Sequence, residues 1–281
     1  MKTYLECIPC FLRQAHDAAK LAGADKETQK KIMDEVARAL PGFSLDVTPP
    51  EIARTVYGIV EDHTGGKDAY RQVKEKSNNM AMELYGRLKK EIEGLDNVLL
   101  RAVRLAVAGN VIDYGVPYAF DIEREIEECL EKDFAIFDFD LFENEIKKAK
   151  NILYLLDNAG EIVFDRILVE EIGKEVVCAV RGKPIINDVT MDDAEQVGLK
   201  KIAKVISSGS DVPGTVLERC TEEFVEYYKK ADVIISKGQG NYETLADEAR
   251  PIFFIFKAKC PVIAEHIGCE VGDIILKRQS A

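Results

Sequence analysis

Through the first 115 or so residues, apolar side chains recur at helical spacing. Tyr4 to Ala22 is one amphipathic stretch, and Asp25 opens a second that runs to Leu40, ahead of Pro41-Gly42. Thr48-Pro49-Pro50-Glu51 combines a capping residue, proline in the first turn and an acidic group facing the helix dipole, so it predicts a helix start. Asp68 to Leu95 keeps the same spacing, while Asn97 to Ala108 is nearly apolar, the pattern of a helix buried at the centre of a bundle. After about residue 150 the pattern changes to short β-rich runs: NILYLL (151–156), EVVCAV (175–180), AKVISS (203–208), DVIIS (232–236) and PIFFIF (251–256), with DIILK (273–277) a candidate last strand. Helix-like stretches separate them, Pro213 to Lys230 being the clearest. Within 116–150, AIFDFD fits either a strand or the start of a helix ending at Lys150.

Strands separated by helices imply right-handed crossovers and a mostly parallel sheet covered on both faces. The expected α/β architecture is therefore a helical N-terminal domain, residues 1–115, followed by a Rossmann-like α/β domain, residues 116–281, with helices on both faces of its sheet.

Composition narrows the partners. Apolar residues at 47% and charged residues at 31% describe a folded globule, and its net charge is −12. Such a chain is a poor match for nucleic acid or an anionic membrane, both of which select clustered Lys and Arg. An anionic ligand would need a local site that overrides the global field: a metal ion, a helix N-terminus or well-placed lysines. The N-terminal MKTYLECIPCFLRQ is too polar for a signal peptide and no apolar run approaches a membrane span, so the expected location is cytoplasmic. Seven irregularly spaced cysteines do not suggest a disulfide framework. Cys7-Ile8-Pro9-Cys10 supplies two of the four ligands that structural zinc needs and follows no thioredoxin-like strand, so it reads as a helix start with two half-buried thiols. The three histidines are scattered, which gives a His-based triad little support.

The residues that follow each strand carry the chemistry, because open parallel sheets bind ligands at the carboxyl ends of their strands. Asp157-Asn158-Ala159-Gly160-Glu161 follows the first strand, and Arg181 to Asn187-Asp188 follows the second. Adjacent strands could bring Asp157 and Asp188 together, and with the amide oxygen of Asn158 they form an oxygen-rich set suited to Mg²⁺ or Mn²⁺. The alternative is that both aspartates merely cap the helices that follow. Lys237-Gly238-Gln239-Gly240-Asn241-Tyr242-Glu243 follows the fourth strand, offering a tight turn, backbone N–H groups and a lysine to an anion, or simply a glycine-rich βα turn. Neither a P-loop nor a dinucleotide fingerprint is present.

Together, DNAGE, IINDVT and KGQGNYE resemble the metal-dependent damage-control phosphatases, a family long catalogued as of unknown function, one branch of which was once assigned a protein carboxyl methyltransferase activity. The resemblance spans essentially the whole chain, including Gly109-Asn110-Val111-Ile112-Asp113, and Cys7-Ile8-Pro9-Cys10 is similar to the short, mainly prokaryotic and archaeal subfamily. It implies Asp157, Asn158 and Asp188 as metal ligands, and Lys237, Gly238, Asn241 and Asn110 as phosphate and substrate contacts. Asp113, Glu161, Arg181, Asn187 and Gly240 complete the expected substrate set. Of the eukaryotic branch's Arg-Thr-x-Lys signature, Ile255-Phe256-Lys257 keeps only Lys257, so that branch's substrate preference does not transfer.

The expected activity is hydrolysis of phosphate monoesters of small metabolites, damaged or side-product molecules such as sugar phosphates among them. It would use Mg²⁺ or Mn²⁺, with Co²⁺ or Ni²⁺ as alternatives. Asp157, Asn158, Asp188 and Lys237 are the expected catalytic set, with attack by a carboxylate or by an activated water both open. Two rival readings use the same scaffold: methyl transfer to carboxyl groups from S-adenosylmethionine, and non-catalytic metabolite binding.

Overall fold

The computed structural model describes residues 1–66, 68–109 and 119–279. Its N-terminal helices are α1 (Cys7–Leu21), α2 (Lys26–Ala39), α3 (Pro49–Thr64), α4 (Arg71–Ile92), α5 (Val98–Gly109) and α6 (Ala119–Glu131). The capping signals act as expected: the Asp25 side chain accepts from the Thr28 amide at 2.8 Å, and Thr48 and Glu51 form a reciprocal capping box at the start of α3. Cys7 is the first residue of α1, and both it and Cys10 are half-buried. Burial pushes the Cys7 thiol above its ordinary pKa, so it is not an activated thiolate. The expected domain boundary at 115/116 lies outside the described residues.

The second half alternates β1 (Phe134–Phe137), α7 (Phe139–Lys148), β2 (Ile152–Leu155), α8 (Glu161–Ile172), β3 (Val176–Val180), α9 (Met191–Gln196), β4 (Lys204–Ser207), α10 (Glu222–Lys230), β5 (Val233–Lys237), α11 (Gln239–Leu245), β6 (Ile252–Lys257), α12 (Pro261–Ile267) and β7 (Ile274–Arg278). They build one 7-stranded sheet of order β1-β7-β6-β5-β2-β3-β4, in which every neighbouring pair is parallel except β6 and β7. AIFDFD resolves into both candidate structures, the end of β1 and then the start of α7.

The helix expected over 213–230 forms only from Glu222, where Thr221 caps it by accepting from the Phe224 amide. The preceding segment is irregular because it packs against α11: a Cβ on Gly214 would stand 2.8 Å from the Gly240 carbonyl oxygen. That close approach, not helical propensity, decides its course.

Apolar packing divides into three clusters. One joins α4, α5, α8 and one side of the sheet, with Val103, Leu105 and Ala106 of α5 fully buried. A second lies under α10, α11 and α12, on the other side. The third belongs to α1, α2 and α3, with Tyr70 and with Ile185 from the loop after β3. Arg54 of α3 adds an ion pair to Asp211, beyond β4, at 2.7 Å. Among the described residues, no helix is long and apolar enough to cross a membrane.

Candidate active site

The chain adds β3 and β4 on one side of β2 and places β5 on the other, so the reversal of strand order opens a crevice at the carboxyl end of β2. Asp157 and Asn158 stand there. Their loop is tied to the neighbouring one by backbone bonds: the Val189 amide donates to the Asp157 carbonyl at 2.8 Å and the Ala159 amide to the Asn187 carbonyl at 2.9 Å. An isolated antiparallel bridge pairs Asn158 with Asp188. The structure thus brings the three expected oxygen donors together. Neither aspartate caps a helix: Gly160 stands at the start of α8, and Thr190 with Asp193 forms the capping box of α9.

Gly238 follows β5 with φ +78°, and its backbone lies against the Asp157 carboxylate so closely that a Cβ would stand 1.8 Å from Oδ2. Glycine is required there twice over, for the left-handed backbone and for the approach. Burial raises the Asp157 pKa well above the carboxylate range, and the charges of Glu161 and Asp188 add to the shift, against the opposing pull of Arg181 and Lys259. The Asn158 amide nitrogen donates to Asp157 Oδ2 at 2.7 Å and to Glu161 Oε2 at 3.3 Å. That orientation makes its Oδ1 the atom it would offer a cation.

Arg181 is a buried brace. Its Nε donates to Asp188 Oδ2 at 2.6 Å and its Nη2 to Asn241 Oδ1 at 3.1 Å. Asn241, also buried, accepts from the Thr215 hydroxyl at 2.8 Å and donates to the Lys237 carbonyl at 2.7 Å. Lys237, expected at the phosphate, stands behind the site instead. Its ammonium is fully buried and donates to Glu161 Oε1 at 2.6 Å, Asp165 Oδ1 at 2.7 Å and the Ala106 carbonyl at 2.8 Å, which occupies all three of its N–H groups. Burial opposes its charge, yet Asp165 and Glu161 outweigh that and raise its pKa. Arg181, Asn241 and Glu161, expected as substrate contacts, likewise bond to neighbouring protein groups: Arg181 to Asp188 and Asn241, Asn241 to Thr215 and the Lys237 carbonyl, and Glu161 to Asn158 and Lys237. Gly240 serves close chain packing, since a Cβ there would meet the Pro213 carbonyl oxygen at 2.3 Å. Asn187 is buried and contributes its carbonyl to the loop pairing, while Lys257 is half-buried at the end of β6. Asn110 and Asp113 lie outside the described residues.

Several contributors carry no obvious mark in the sequence. Lys74 of α4 donates to Asp193 Oδ2 at 2.8 Å and to the Asp188 carbonyl at 3.4 Å. Asn78, one turn on, accepts from the Gly160 amide at 2.7 Å and donates to Asp193 at 3.1 Å. Their i, i+4 spacing on an otherwise amphipathic helix is the one available signal, as is the Glu161/Asp165 pair on α8.

Asp165 accepts from the Tyr154 hydroxyl at 2.7 Å as well as from Lys237, and burial raises its pKa to about 7, although Lys237 pulls the other way. Its folded-state value lies above the ordinary aspartate value of 3.8, so between those limits the folded chain holds a proton that the unfolded chain has released. Stability in the metal-free protein should therefore fall as pH rises from about 4 to about 7. Asp165→Asn, which can keep both accepted bonds at Oδ1, is expected to flatten that slope in melting temperatures measured across the interval. An unchanged slope would assign it to other groups.

Eight buried acidic and basic side chains thus surround the crevice: Asp157, Glu161, Asp165, Asp188 and Asp193 against Lys74, Arg181 and Lys237. The carboxyl groups outnumber the cations by two. Among the described residues no set of three or more His, Cys, Asp and Glu is arranged to hold a metal, so the candidate donor set is two carboxylates and an amide oxygen. Those are hard oxygen donors, and so few of them suit an ion that keeps open positions for water or substrate.

The doubly wound sheet thus carries acidic loops at its switch point, with a helical layer beside them. The family model of the damage-control phosphatase ARMT1-like domain matches residues 3–275, and the chain belongs to that family of phosphatases. It is 39% identical to damage-control phosphatase PH1575 of Pyrococcus horikoshii over 99% of this chain and 98% of that one. It is 32% identical to a damage-control phosphatase of Archaeoglobus fulgidus over 99% of each chain, and 38% identical to the uncharacterized protein MJ0202 of Methanocaldococcus jannaschii over 97% of this chain and 94% of that one. The crystal structure of the P. horikoshii protein, described as a DUF89 family member, superposes with a TM-score of 0.92 over the full length of both chains, at 37% identity.

Proposed function

We propose that this protein is a divalent-metal-dependent phosphatase that hydrolyses phosphate monoesters of small metabolites, damaged or side-product molecules such as sugar phosphates among them. The observation that carries the reading is the buried excess of two carboxyl groups at the crevice. Asp157, Asn158 and Asp188 would hold the ion, with Mg²⁺ or Mn²⁺ as first choices for an all-oxygen set and Co²⁺ or Ni²⁺ as alternatives. When bound, the ion supplies Lewis-acid stabilisation of the charge that spreads over the phosphoryl oxygens.

The chain's own residues do the rest. Arg181 holds the Asp188 carboxylate in place, Glu161 orients the Asn158 amide, and Lys237 donates to Glu161 from behind. Gly238 keeps any side chain off the Asp157 carboxylate. An anionic ester meets a site that is positive only when the cation is present, inside a protein of net charge −12.

A panel of phosphorylated metabolites assayed with Mg²⁺, Mn²⁺, Co²⁺ and Ni²⁺ tests this. Phosphate release is expected with at least one metal, lost in EDTA and restored by adding the metal back. Turnover that survives EDTA unchanged would overturn the proposal.

A further inference from the structure

The loop that carries Asp188 contains a backbone feature that the proposed chemistry does not use. The Asp188 amide donates to the Ile185 carbonyl at 3.1 Å, closing a turn whose first central residue is Ile186, at φ +47°. That position with positive φ ordinarily belongs to glycine, and a β-branched side chain there is strained. Among the described residues, the other non-glycine residue with positive φ is Asn97, a type that tolerates it. Strain of this kind persists only where the surroundings hold it.

What holds it is the helical layer. Ile185 is buried in the apolar cluster of α1, α2 and α3, beside Tyr57 and Tyr70, and Ile186 packs against the same cluster. The backbone of this turn is tied the opposite way, into the sheet: the Asn187 carbonyl accepts from Ala159, Asp188 bridges to Asn158, and the next amide donates to the Asp157 carbonyl. The side chains thus belong to one core and the main chain to the other. A turn gripped from both sides fixes the separation between Asp188 and the Asp157-Asn158 pair.

We infer that Ile186, with Ile185, is a positioning element through which the α1–α3 layer sets the geometry of the metal ligands. The inference rests on the proposed metal site and extends it: the helical layer is part of the cation site's framework as well as a cover for the crevice. A glycine at 186 would suit the backbone but release the grip, whereas leucine would retain an apolar anchor.

Mn²⁺ binding to metal-free protein, followed by the loss of the free-ion electron paramagnetic resonance signal, separates the outcomes. Circular dichroism confirms folding of each variant. Ile186→Gly is expected to weaken Mn²⁺ binding at least 10-fold, and Ile186→Leu to stay within about 3-fold of wild type, a loss of 10-fold corresponding to about 1.4 kcal/mol. Binding by Ile186→Gly within 2-fold of wild type would overturn the positioning role and leave the metal site standing. Failure of wild type and both variants alike to take up Mn²⁺ would overturn the metal site, and the inference with it.

Discussion

Gly238→Ala is expected to lower phosphate release on the order of 100-fold or more, the cost associated with displacing a reacting group by about 1 Å. The added methyl would stand 1.8 Å from Asp157 Oδ2 and 2.2 Å from its Cγ, so the carboxylate has to move. The same substitution also places a side chain at φ +78°, at a cost of about 1–3 kcal/mol. Gly268→Ala provides the control. Gly268 has φ +81° and ψ 45°, the left-handed helical region, and a Cβ added there would meet no atom within 4 Å, so it carries a milder positive-φ cost than Gly238, whose ψ is 163°, and no collision. Thermal melts should show both variants destabilised, whereas turnover should fall only in Gly238→Ala. Equal turnover in the two would mean that Asp157 tolerates displacement and is not central to the reaction.

Lys237→Met is expected to destabilise the fold by about 3–5 kcal/mol, because it strands Glu161 and Asp165, both fully buried, without their cation. Urea denaturation reads the loss directly. If the single variant fails to fold, the triple variant Lys237→Met, Glu161→Gln, Asp165→Asn removes the charges together and should recover most of the stability. It should not recover turnover, since Glu161 then no longer orients Asn158 as a carboxylate. A Lys237→Met protein as stable as wild type would show that the ammonium is not the counter-charge the geometry describes. These expectations differ from those for a lysine that touches phosphate, whose loss would weaken substrate binding and leave folding intact.

The strands are legible in the sequence because each is a short β-rich run that gives way to charged, polar or glycine residues, and buried parallel strands need no alternation. The aspartate loops are legible for a related reason: two Asx-rich turns one βα unit apart imply adjacent strand ends. The role of Lys237 is not. A lysine that closes an apolar strand before two glycines looks like a phosphate ligand, and only the packing of α8 beneath β5 shows carboxylates waiting for it. Lys74 and Asn78 are hidden because polar positions on an amphipathic helix ordinarily face water, and nothing local tells that the Asp188 loop covers the one and the Asp157 loop the other. Pro213 to Thr221 reads as helix because the sequence carries no mark of the glycine-to-glycine contact that draws it inward.

The ion pairs of Lys237 have a consequence for the order in which the molecule assembles. Glu161 and Asp165 precede their cation by 76 and 72 residues, and the carbonyl of Ala106 precedes it by 131. Strands β2, β3 and β4 can pair as they leave the ribosome, since they are sequential neighbours, but β5 must return to the far edge of β2. Until it does, α8 cannot bury its acidic face against α5 without stranding two charges. Closing the α5–α8 contact is therefore coupled to a long loop closure, the slow kind of folding event, and the nascent chain keeps its future active site hydrated until the strand that completes the sheet arrives.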